Sequence, residues 1–265
     1  MSGDRSVEQT YDEHYYQTGF GGSHYGREQK WLRYFGDVAT HLVADLSPKT
    51  ALDVGCALGM LVESLRDRGV DADGIDISTF AVSHARTDIR EHLFEGSILD
   101  PFPRPLYDLV ICTEVLEHVP PKEAPSAVAN LCRHARQIIF SSTPIDFAEA
   151  SHLNVQPREH WIELFSRHGF LPDFDYDLTF LADWGLRLRT DLDPIEALKR
   201  CERRQWRLHT ENLQLREALI ANRSEANLRR RIGPAAELEA IKGSKVWRFA
   251  QILRRLRHPW ARRAA

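Results

Sequence analysis

The chain has 265 residues, 43% of them hydrophobic, and four widely separated cysteines. This length allows one domain with a core plus an extension, and the cysteine spacing excludes a disulfide scaffold and a cysteine zinc site. No apolar stretch approaches the ~20 residues that span a bilayer, and the first residues lack a signal-peptide core. We therefore expect a cytoplasmic protein.

The net charge of -3 conceals two parts of opposite sign. Residues 1–194 contain 17 Lys and Arg against 31 Asp and Glu, whereas residues 195–265 contain 18 against 7. Such a division predicts an acidic body and a basic tail with different roles.

The N-terminal residues 7–27 combine aromatic side chains with a glycine-rich run at 19–22. This composition is typical of a segment that folds over a binding site, or of a loosely packed arm. Tyr16 and Arg27 are its candidates for ligand contact. An amphipathic helix is predicted at residues 28–46.

Residues 51–65 predict a strand, a tight turn and a helix. The stretch begins as an apolar run, breaks at Gly55 and Gly59, and resumes with apolar residues at helical spacing. Glycines let a ligand approach the unpaired amides at a helix start, here around Cys56. Asp53, at the strand end, would repel a pyrophosphate but attract a cationic ligand.

The pattern Asp53-x-Gly55-x-x-x-Gly59 resembles the first motif of class I methyltransferases that depend on S-adenosylmethionine (SAM). Those enzymes usually have a glycine where Ala57 stands. SAM carries an ammonium and a sulfonium, which suits a carboxylate at this place. The resemblance implies an α/β Rossmann-like fold with a seven-stranded, mostly parallel sheet, with a long C-terminal helix as an extension.

Later strand ends provide further candidates for cofactor contact. A second short strand ends at Asp76 and Ile77, about 20 residues after the glycine turn, where an acid accepts ribose hydroxyls. Helix capping is the alternative role for Asp76. A helix is predicted at 79–90, and the resemblance then places the adenine against Ser97 and Ile98.

The strongest strand, residues 107–113, opens into the segment EVLEHVPP at 114–121. Its apolar run predicts a strand that is buried on both faces. The segment resembles the D-L-V-x-x-x-x-V-L-E-H-V signature of methyltransferases of small molecules and lipids, and it lacks the Asn/Asp-Pro-Pro-aromatic motif of nucleobase enzymes. We expect a small-molecule or sugar acceptor, no nucleic acid, and a methyl group beside Thr113 and Glu114.

Methyl transfer to a hydroxyl needs alignment of the reactants and a base of near-neutral pKa. His118, after the fourth strand, and His152, in the segment predicted to line the acceptor pocket, are the two candidates. Glu114-x-x-Glu117-His118 also looks like the metal-binding segment of ubiquinone-pathway O-methyltransferases. If helical, it would point Glu114 and His118 at one ion, with Mg²⁺ favoured. Relatives without a known metal requirement share these letters, so we predict no metal.

The remaining core continues the alternation of strands and helices. A helix is predicted at 124–134, a fifth strand at 137–142 and two antiparallel strands within 174–189. Alternation predicts parallel pairing with right-handed crossovers, so that the candidate residues meet at the carboxyl ends of the strands.

The C-terminal part has two segments. A heptad seam with polar breaks predicts a long helix that ends before Gly233-Pro234, either a homodimeric coiled coil through residues 195–230 or a helix lying on its own domain. Residues 243–263 combine aromatic side chains with arginines, which fits a helix on the anionic inner face of a membrane, or a solvated tail. This stretch is similar to tails of bacterial surface-polysaccharide enzymes.

We thus divide the chain into an arm and helix that cover the active site (1–48), a SAM-binding core (49–192), a long helix (193–232) and a basic tail (233–265). The expected activity is SAM-dependent methylation of a hydroxyl on a small molecule or sugar, in surface-glycan or specialised-metabolite biosynthesis. The alternatives are a C- or N-methyltransferase with, for example, a prenyl or polyketide acceptor, and an inactive SAM-fold scaffold that is recruited by its tail.

Overall fold

A seven-stranded sheet organises the structure. The computed structural model describes residues 11–18 and 24–243, with residues 224–243 as backbone alone. The strands are β1 (Thr50–Val54), β2 (Asp71–Asp76), β3 (Leu93–Glu95), β4 (Leu109–Thr113), β5 (Gln137–Ser141), β6 (Leu171–Pro172) and β7 (Leu186–Arg189). Their order is β3-β2-β1-β4-β5-β7-β6, and β1 to β5 are parallel, whereas β7 is antiparallel to both neighbours. The predicted fold class is confirmed.

Helices cover both faces of the sheet. They are α1 (Glu13–Thr18), α2 (Gln29–Leu46), α3 (Met60–Arg66), α4 (Thr79–Ser83), a 3₁₀ helix (Thr87–His92), α5 (Ala124–His134), α6 (Arg158–Ser166) and α7 (Pro194–Gly243). Side chains of β4 alternate between two buried clusters, with Val110 packed on the side of α5 and α6 and Ile111 on the side of α2 and α3. Because β1 to β5 are parallel, the polar residues at their carboxyl ends lie along the same edge of the sheet.

Three predicted elements differ from those observed. The helix predicted at 79–90 ends at Ser83, because the Ser83 hydroxyl and the His84 ring both bond the Phe80 carbonyl, at 2.8 Å each, and compete with helix continuation. The sixth strand lies before residue 174, at Leu171–Pro172, where an edge position tolerates the proline.

The predicted end of the long helix before Gly233-Pro234 is also wrong, because α7 continues to Gly243. The strong helix formers that follow the proline, Ala235-Ala236-Glu237-Leu238, account for the continuation. The chain divides into two compact units, Met1–Glu202 and Arg203–Ala265. The predicted basic tail at 243–263 lies outside the described residues except for its first one.

The start of α7 is held by a buried carboxylate. Asp173, which follows β6, is 3.3 Å from Arg187 and from Arg189 of β7 and 3.7 Å from Arg200 of α7. Three guanidinium groups thus share one acid, and they join the edge of the sheet to the first turns of the helix. Among the described residues, no helix has the length and apolarity needed to span a membrane.

Candidate active site

The glycine turn after β1 is tied to the neighbouring strand. Gly55, Ala57 and Gly59 all have left-handed backbone conformations, with φ of 78°, 48° and 68°. The backbone amides of Gly55 and Cys56 both donate to the carbonyl of Ile75 in β2, at 2.8 and 3.1 Å. Ala57 adopts at a cost of about 1 kcal/mol the conformation that a glycine adopts freely. The turn leads into α3, for which Gly59 is the N-cap residue.

Asp76 closes this turn from the end of β2. Its buried carboxylate accepts hydrogen bonds from the amides of Ala57 at 2.7 Å and Ser78 at 2.8 Å. Burial raises the pKa of Asp76, and these backbone donors oppose the rise. Ser78 caps α4 by accepting from the Ala81 amide at 3.1 Å, so Asp76 is not needed as the cap. The amide of the half-buried Ile77 is a third backbone donor that favours the charged carboxylate. Two carboxylate oxygens offer about four acceptor positions, so part of this capacity stays available to a ligand.

Asp53 is a second buried acid at the same edge. It is 5% exposed, lies in β1 and pairs with positions in both β2 and β4. Burial, and next the charge of Asp76, raise the pKa of Asp53 to about 7. A cation bound beside it would favour the ionised form. The group is therefore poised to change its charge when a cationic ligand binds.

Ser97 and Ile98, the two candidate adenine contacts, form hydrogen bonds within the protein. The Ser97 hydroxyl accepts from the amide of Leu99 at 3.1 Å, and the Ser97 amide donates to Asp100 at 2.8 Å. Ile98 is buried, and its carbonyl accepts from Asn130 of α5 at 2.8 Å. These bonds shape the loop after β3 and leave its role toward adenine as a prediction.

The N-terminal candidates pack against helices of the core. Arg27 forms an ion pair with Glu63 of α3, and Arg86 lies 3.2 Å from the same carboxylate. Tyr16 is buried, with its ring stacked on that of Phe80 in α4 at a centroid distance of 5.7 Å. The guanidinium of Arg27 is therefore already paired with Glu63. Its contact with the cofactor stays a prediction.

Glu114 stands at the end of β4, directly after Thr113, in a left-handed conformation with φ of 54°. Its Oε1 accepts from the Ser141 hydroxyl of β5 at 2.6 Å and from the Trp184 indole at 2.8 Å. The side chain thus points toward β5 and the loop before β7. Sequence reasoning missed Trp184, which stands alone in a loop and belongs to no motif.

The residues after Glu114 form a turn and not the helix that a shared metal face would need. The His118 amide donates to the Val115 carbonyl at 3.0 Å, and the Glu117 carbonyl accepts from the amides of Leu153 and Asn154 at 2.7 and 2.8 Å. The last two bonds fasten the segment after β5 to this turn. They bring His152 to His118.

The two candidate bases are in ring contact. The centroids of His118 and His152 are 4.7 Å apart. Nδ1 of His118 is 3.2 Å from the Ser151 carbonyl, and Nδ1 of His152 is 2.8 Å from the Asp146 carbonyl. Nε2 of His152 also lies 3.5 Å from a carboxylate oxygen of Glu149. Burial, and next the neighbouring His152, lower the pKa of His118.

Tyr11 contacts His118, and Tyr15 of α1 contacts Glu149 beside His152. The Tyr15 hydroxyl donates to Glu149 at 3.1 Å, the Ser78 hydroxyl donates to the Tyr11 carbonyl at 2.6 Å, and the Tyr11 ring meets His118 edge-on at 5.8 Å. Tyr11 and Tyr15 were not among the candidates, although the aromatic composition of residues 7–27 was the signal for them.

Glu117 is fully buried beneath the histidines. Its Oε1 accepts from the Thr143 amide at 3.3 Å, and no donor among the described residues reaches Oε2. Burial, and next the charge of Glu114 and a side-chain hydrogen bond with it, raise the pKa of Glu117 well above its usual value. A buried carboxylate oxygen that no donor reaches is costly, and a proton shared with Glu114, a water or a cation would reduce that cost.

Among the described residues, Glu117, His118 and His152 place one ligand atom each within 4.8 Å of one another, as do Asp146, Glu149 and His152. Glu114 belongs to neither group, and because residues 115–118 form a turn, Glu114 and His118 do not share the helical face that a metal held by these two residues would require. Two imidazoles and a carboxylate suit Zn²⁺ or Fe²⁺ better than Mg²⁺, which prefers oxygen ligands.

Residues 27–172 match the family model described as a methyltransferase domain. The chain belongs to this family. The predicted recognition is confirmed at the level of the methyltransferase family.

The relatives of this methyltransferase match only in part. The ubiquinone biosynthesis O-methyltransferase of Alkalilimnicola ehrlichii is 35% identical over 114 residues, which is 40% of this chain and 46% of that protein. The protein of the same name from Nitrosomonas europaea is 36% identical over 110 residues, 38% of this chain and 46% of that protein. The chain therefore spans less than half the length of the curated relatives that it matches.

Two solved structures share the fold of this methyltransferase. The magnesium protoporphyrin IX methyltransferase of Synechocystis PCC 6803 with bound SAM has a TM-score of 0.50 and 20% identity, covering 71% of this chain and 98% of that chain. The SAM-bound amino pentose methyltransferase of Micromonospora echinaspora has a TM-score of 0.50 and 18% identity, covering 61% and 92%. Both likenesses concern the fold, and both structures hold SAM.

Proposed function

We propose that this methyltransferase transfers the methyl group of SAM to a hydroxyl oxygen of a small molecule or sugar, with His118 as the general base. The observation that carries the proposal is the arrangement at the carboxyl edge of the sheet. The glycine turn follows β1, the two buried acids lie at the carboxyl ends of β1 and β2, and the histidine pair lies after β4 and β5. A cofactor site next to a base is what this reaction needs.

The cofactor roles follow from charge and position. Asp53 receives the ammonium of SAM, because a cation there recovers the cost of ionising a buried acid. Asp76 receives the ribose hydroxyls with the acceptor capacity that its backbone donors leave open. The loop of Ser97 and Ile98 lies against the adenine, and Thr113 and Glu114 face the methyl group.

The choice of His118 rests on its hydrogen bonds. Because a carbonyl oxygen only accepts, the contact of Nδ1 with Ser151 places the ring hydrogen on Nδ1 and leaves Nε2 as a free acceptor. Both nitrogens of His152 face acceptors, at Asp146 and Glu149. The lowered pKa keeps His118 neutral and able to take a proton near pH 7. His152 then acts as a positioning residue.

An oxygen acceptor is also what the names of the relatives indicate, since both are O-methyltransferases. The rival proposal, N- or C-methylation, predicts a methylamine or a C-methyl product. The scaffold alternative predicts that neither Asp53 nor Asp76 matters for any function. We keep biosynthesis of surface glycans or specialised metabolites, and a location at the inner membrane face, as proposals.

A divalent cation fits the same site. Glu117, His118 and His152 would hold it, and the buried Oε2 of Glu117 would gain a partner. When bound, the cation lowers the pKa of the acceptor hydroxyl and reduces the need for a base. We propose the base mechanism without metal, for which chelation supplies the test.

We expect S-adenosylhomocysteine, the product of SAM, to bind at one site in calorimetry. With labelled SAM and a panel of catechols, hydroquinones and sugars, the label should appear on an oxygen, and dialysis against EDTA should leave the rate unchanged. No binding at millimolar concentration would contradict the cofactor assignment. If the activity disappears with EDTA and returns with Zn²⁺ or Mn²⁺, the result would favour a metal-dependent mechanism over the general-base mechanism.

The Gly55→Ala variant should lower the affinity for S-adenosylhomocysteine at least about tenfold. A Cβ at this position overlaps Cγ2 of Val115, so the Val115 side chain or one of the two turns must shift. Gly69→Ala is the matched control, because Gly69 also has a left-handed conformation, with φ of 83°, but nothing lies within 4 Å of its added Cβ. Calorimetry of both variants makes the comparison, and equal losses would contradict the assignment.

A further inference from the structure

The part of α7 beyond residue 204 carries exposed apolar side chains. From Gln205 to Arg223 every side chain is exposed except that of the half-buried Thr210. Six large apolar side chains in this stretch are between 45% and 70% exposed: Trp206, Leu208, Leu213, Leu215, Leu219 and Ile220. Lone helices gain little stability in water, and such a surface is typical of an interface.

Part of this surface is a heptad seam. Leu208 and Leu215 occupy d positions, and Asn212 and Leu219 occupy a positions, so that all four recur on one side of the helix. We propose that α7 pairs with α7 of a second copy of this chain, as a parallel, in-register, two-stranded coiled coil through this seam. The proposal is independent of the methyl acceptor.

Two features of the seam favour the parallel orientation. In register, Asn212 faces its own copy at an a position, where a polar pair specifies a two-stranded, aligned coil. Glu211, at g, then reaches Arg216, at e, of the second copy, and the symmetric contact forms on the other side. The polar residue and the charges therefore agree on one arrangement.

The antiparallel arrangement conflicts with the same charges. Matching Asn212 with Asn222 of an antiparallel copy sets Arg216 beside Arg216 of that copy. Like charges at such a contact are destabilising. The sequence of α7 thus favours a second copy of the chain, in parallel orientation, as the partner of the seam.

A second apolar row supplies a matched control. Trp206, Leu213 and Ile220 repeat every seventh residue at b positions, outside the seam. Leu213 and Leu215 are the same residue type on the same exposed stretch, and only Leu215 faces the partner in the proposed coil. Substitutions at these two positions therefore have equal effects on helix propensity and unequal effects on pairing.

The test measures the mass of the full chain by analytical ultracentrifugation at micromolar concentration. We expect twice the mass of one chain for the unsubstituted protein and for Leu213→Lys, and a shift to one chain for Leu215→Lys. Unchanged binding of S-adenosylhomocysteine by both variants shows that the domain is folded. A monomeric unsubstituted chain, or an assembly that Leu213→Lys disrupts and Leu215→Lys does not, overturns the proposal.

Orientation is tested by oxidation of cysteine substitutions in a chain that also carries Cys132→Ser and Cys201→Ser, which remove the two partly exposed natural thiols. In a parallel, in-register coil, Leu215→Cys faces its own copy and should give a disulfide-linked pair under mild oxidation, whereas Leu213→Cys should not. An antiparallel coil gives no link at Leu215→Cys. Asn212→Leu should tighten the assembly and admit other oligomeric states, because the polar pair that specifies two aligned strands is removed. A weaker assembly with Asn212→Leu contradicts the seam.

Discussion

The Asp53→Asn variant is expected to lose cofactor affinity and to gain stability at the same time. The pKa of Asp53 is raised to about 7 by burial and by Asp76, against ~3.9 in an unfolded chain. The folded state therefore holds the proton of the Asp53 carboxyl more tightly than the unfolded chain does. The stabilisation that results from this proton is complete below pH ~4 and is lost as pH rises through ~7. About three pH units correspond to as much as ~4 kcal/mol.

Asparagine cannot ionise, so the variant keeps this stability above neutral pH. Without cofactor, its melting temperature above pH ~7 should exceed that of the unsubstituted protein by about 5 to 10 °C, and the difference should vanish near pH ~4. The natural residue thus lowers stability in exchange for a negative charge where the ammonium of SAM binds. Thermal unfolding followed by circular dichroism over this range measures the effect.

The same ionisation sets the pH dependence of binding. Because the ammonium pairs with the carboxylate form, the affinity for S-adenosylhomocysteine should rise up to tenfold per pH unit below ~7 and level off above it. Asp53→Asn should bind weakly at every pH. Asp71→Asn is the control, since Arg104 lowers the pKa of this exposed acid to about 2, so neither effect is expected. An Asp53→Asn variant with the unsubstituted pH profile would contradict the assignment.

Local patterns made most of the fold predictable. The apolar runs of β1, β4 and β5 and the helical spacing of α5 appear in short windows of sequence, and α5 is observed at the predicted bounds, Ala124–His134. β6 has only two residues and exists through its pairing with β7. A window of sequence contains no information about that partner, so this strand was placed too late in the chain.

The part of the candidate site that lies at strand ends was predictable from the sequence. The contacts between loops were not. Asp53 and Asp76 lie at the carboxyl ends of β1 and β2, and His118 follows β4. Parallel strands bring these ends together. The contact of His118 with His152 depends instead on two amides that bond the Glu117 carbonyl across the fold. The left-handed turn at Glu114 likewise directs this side chain to Trp184, where helical spacing would direct it to His118. Such tertiary contacts produce no periodic pattern in the sequence from which they could be predicted.

The His118→Gln variant is expected to lower kcat by about 10² to 10⁴, because it removes the acceptor of the hydroxyl proton. The affinity for S-adenosylhomocysteine should not change, since the ring lies on the acceptor side of the glycine turn. His152→Gln should cost less, about tenfold, because it only removes a ring that orients His118. His41→Gln, at an exposed position of α2, is the control and should leave kcat unchanged.

The pH profile separates the base from the positioning residue. The base works in its neutral form, so kcat should fall only as pH drops below the lowered pKa of His118, on the acid side of ~6.5. His152 contributes to that lowering. In His152→Gln the fall should therefore begin at a higher pH, whereas in His118→Gln the acid fall should disappear together with most of the rate. If His152→Gln abolishes the acid fall and His118→Gln merely moves it, the roles of the two histidines are exchanged.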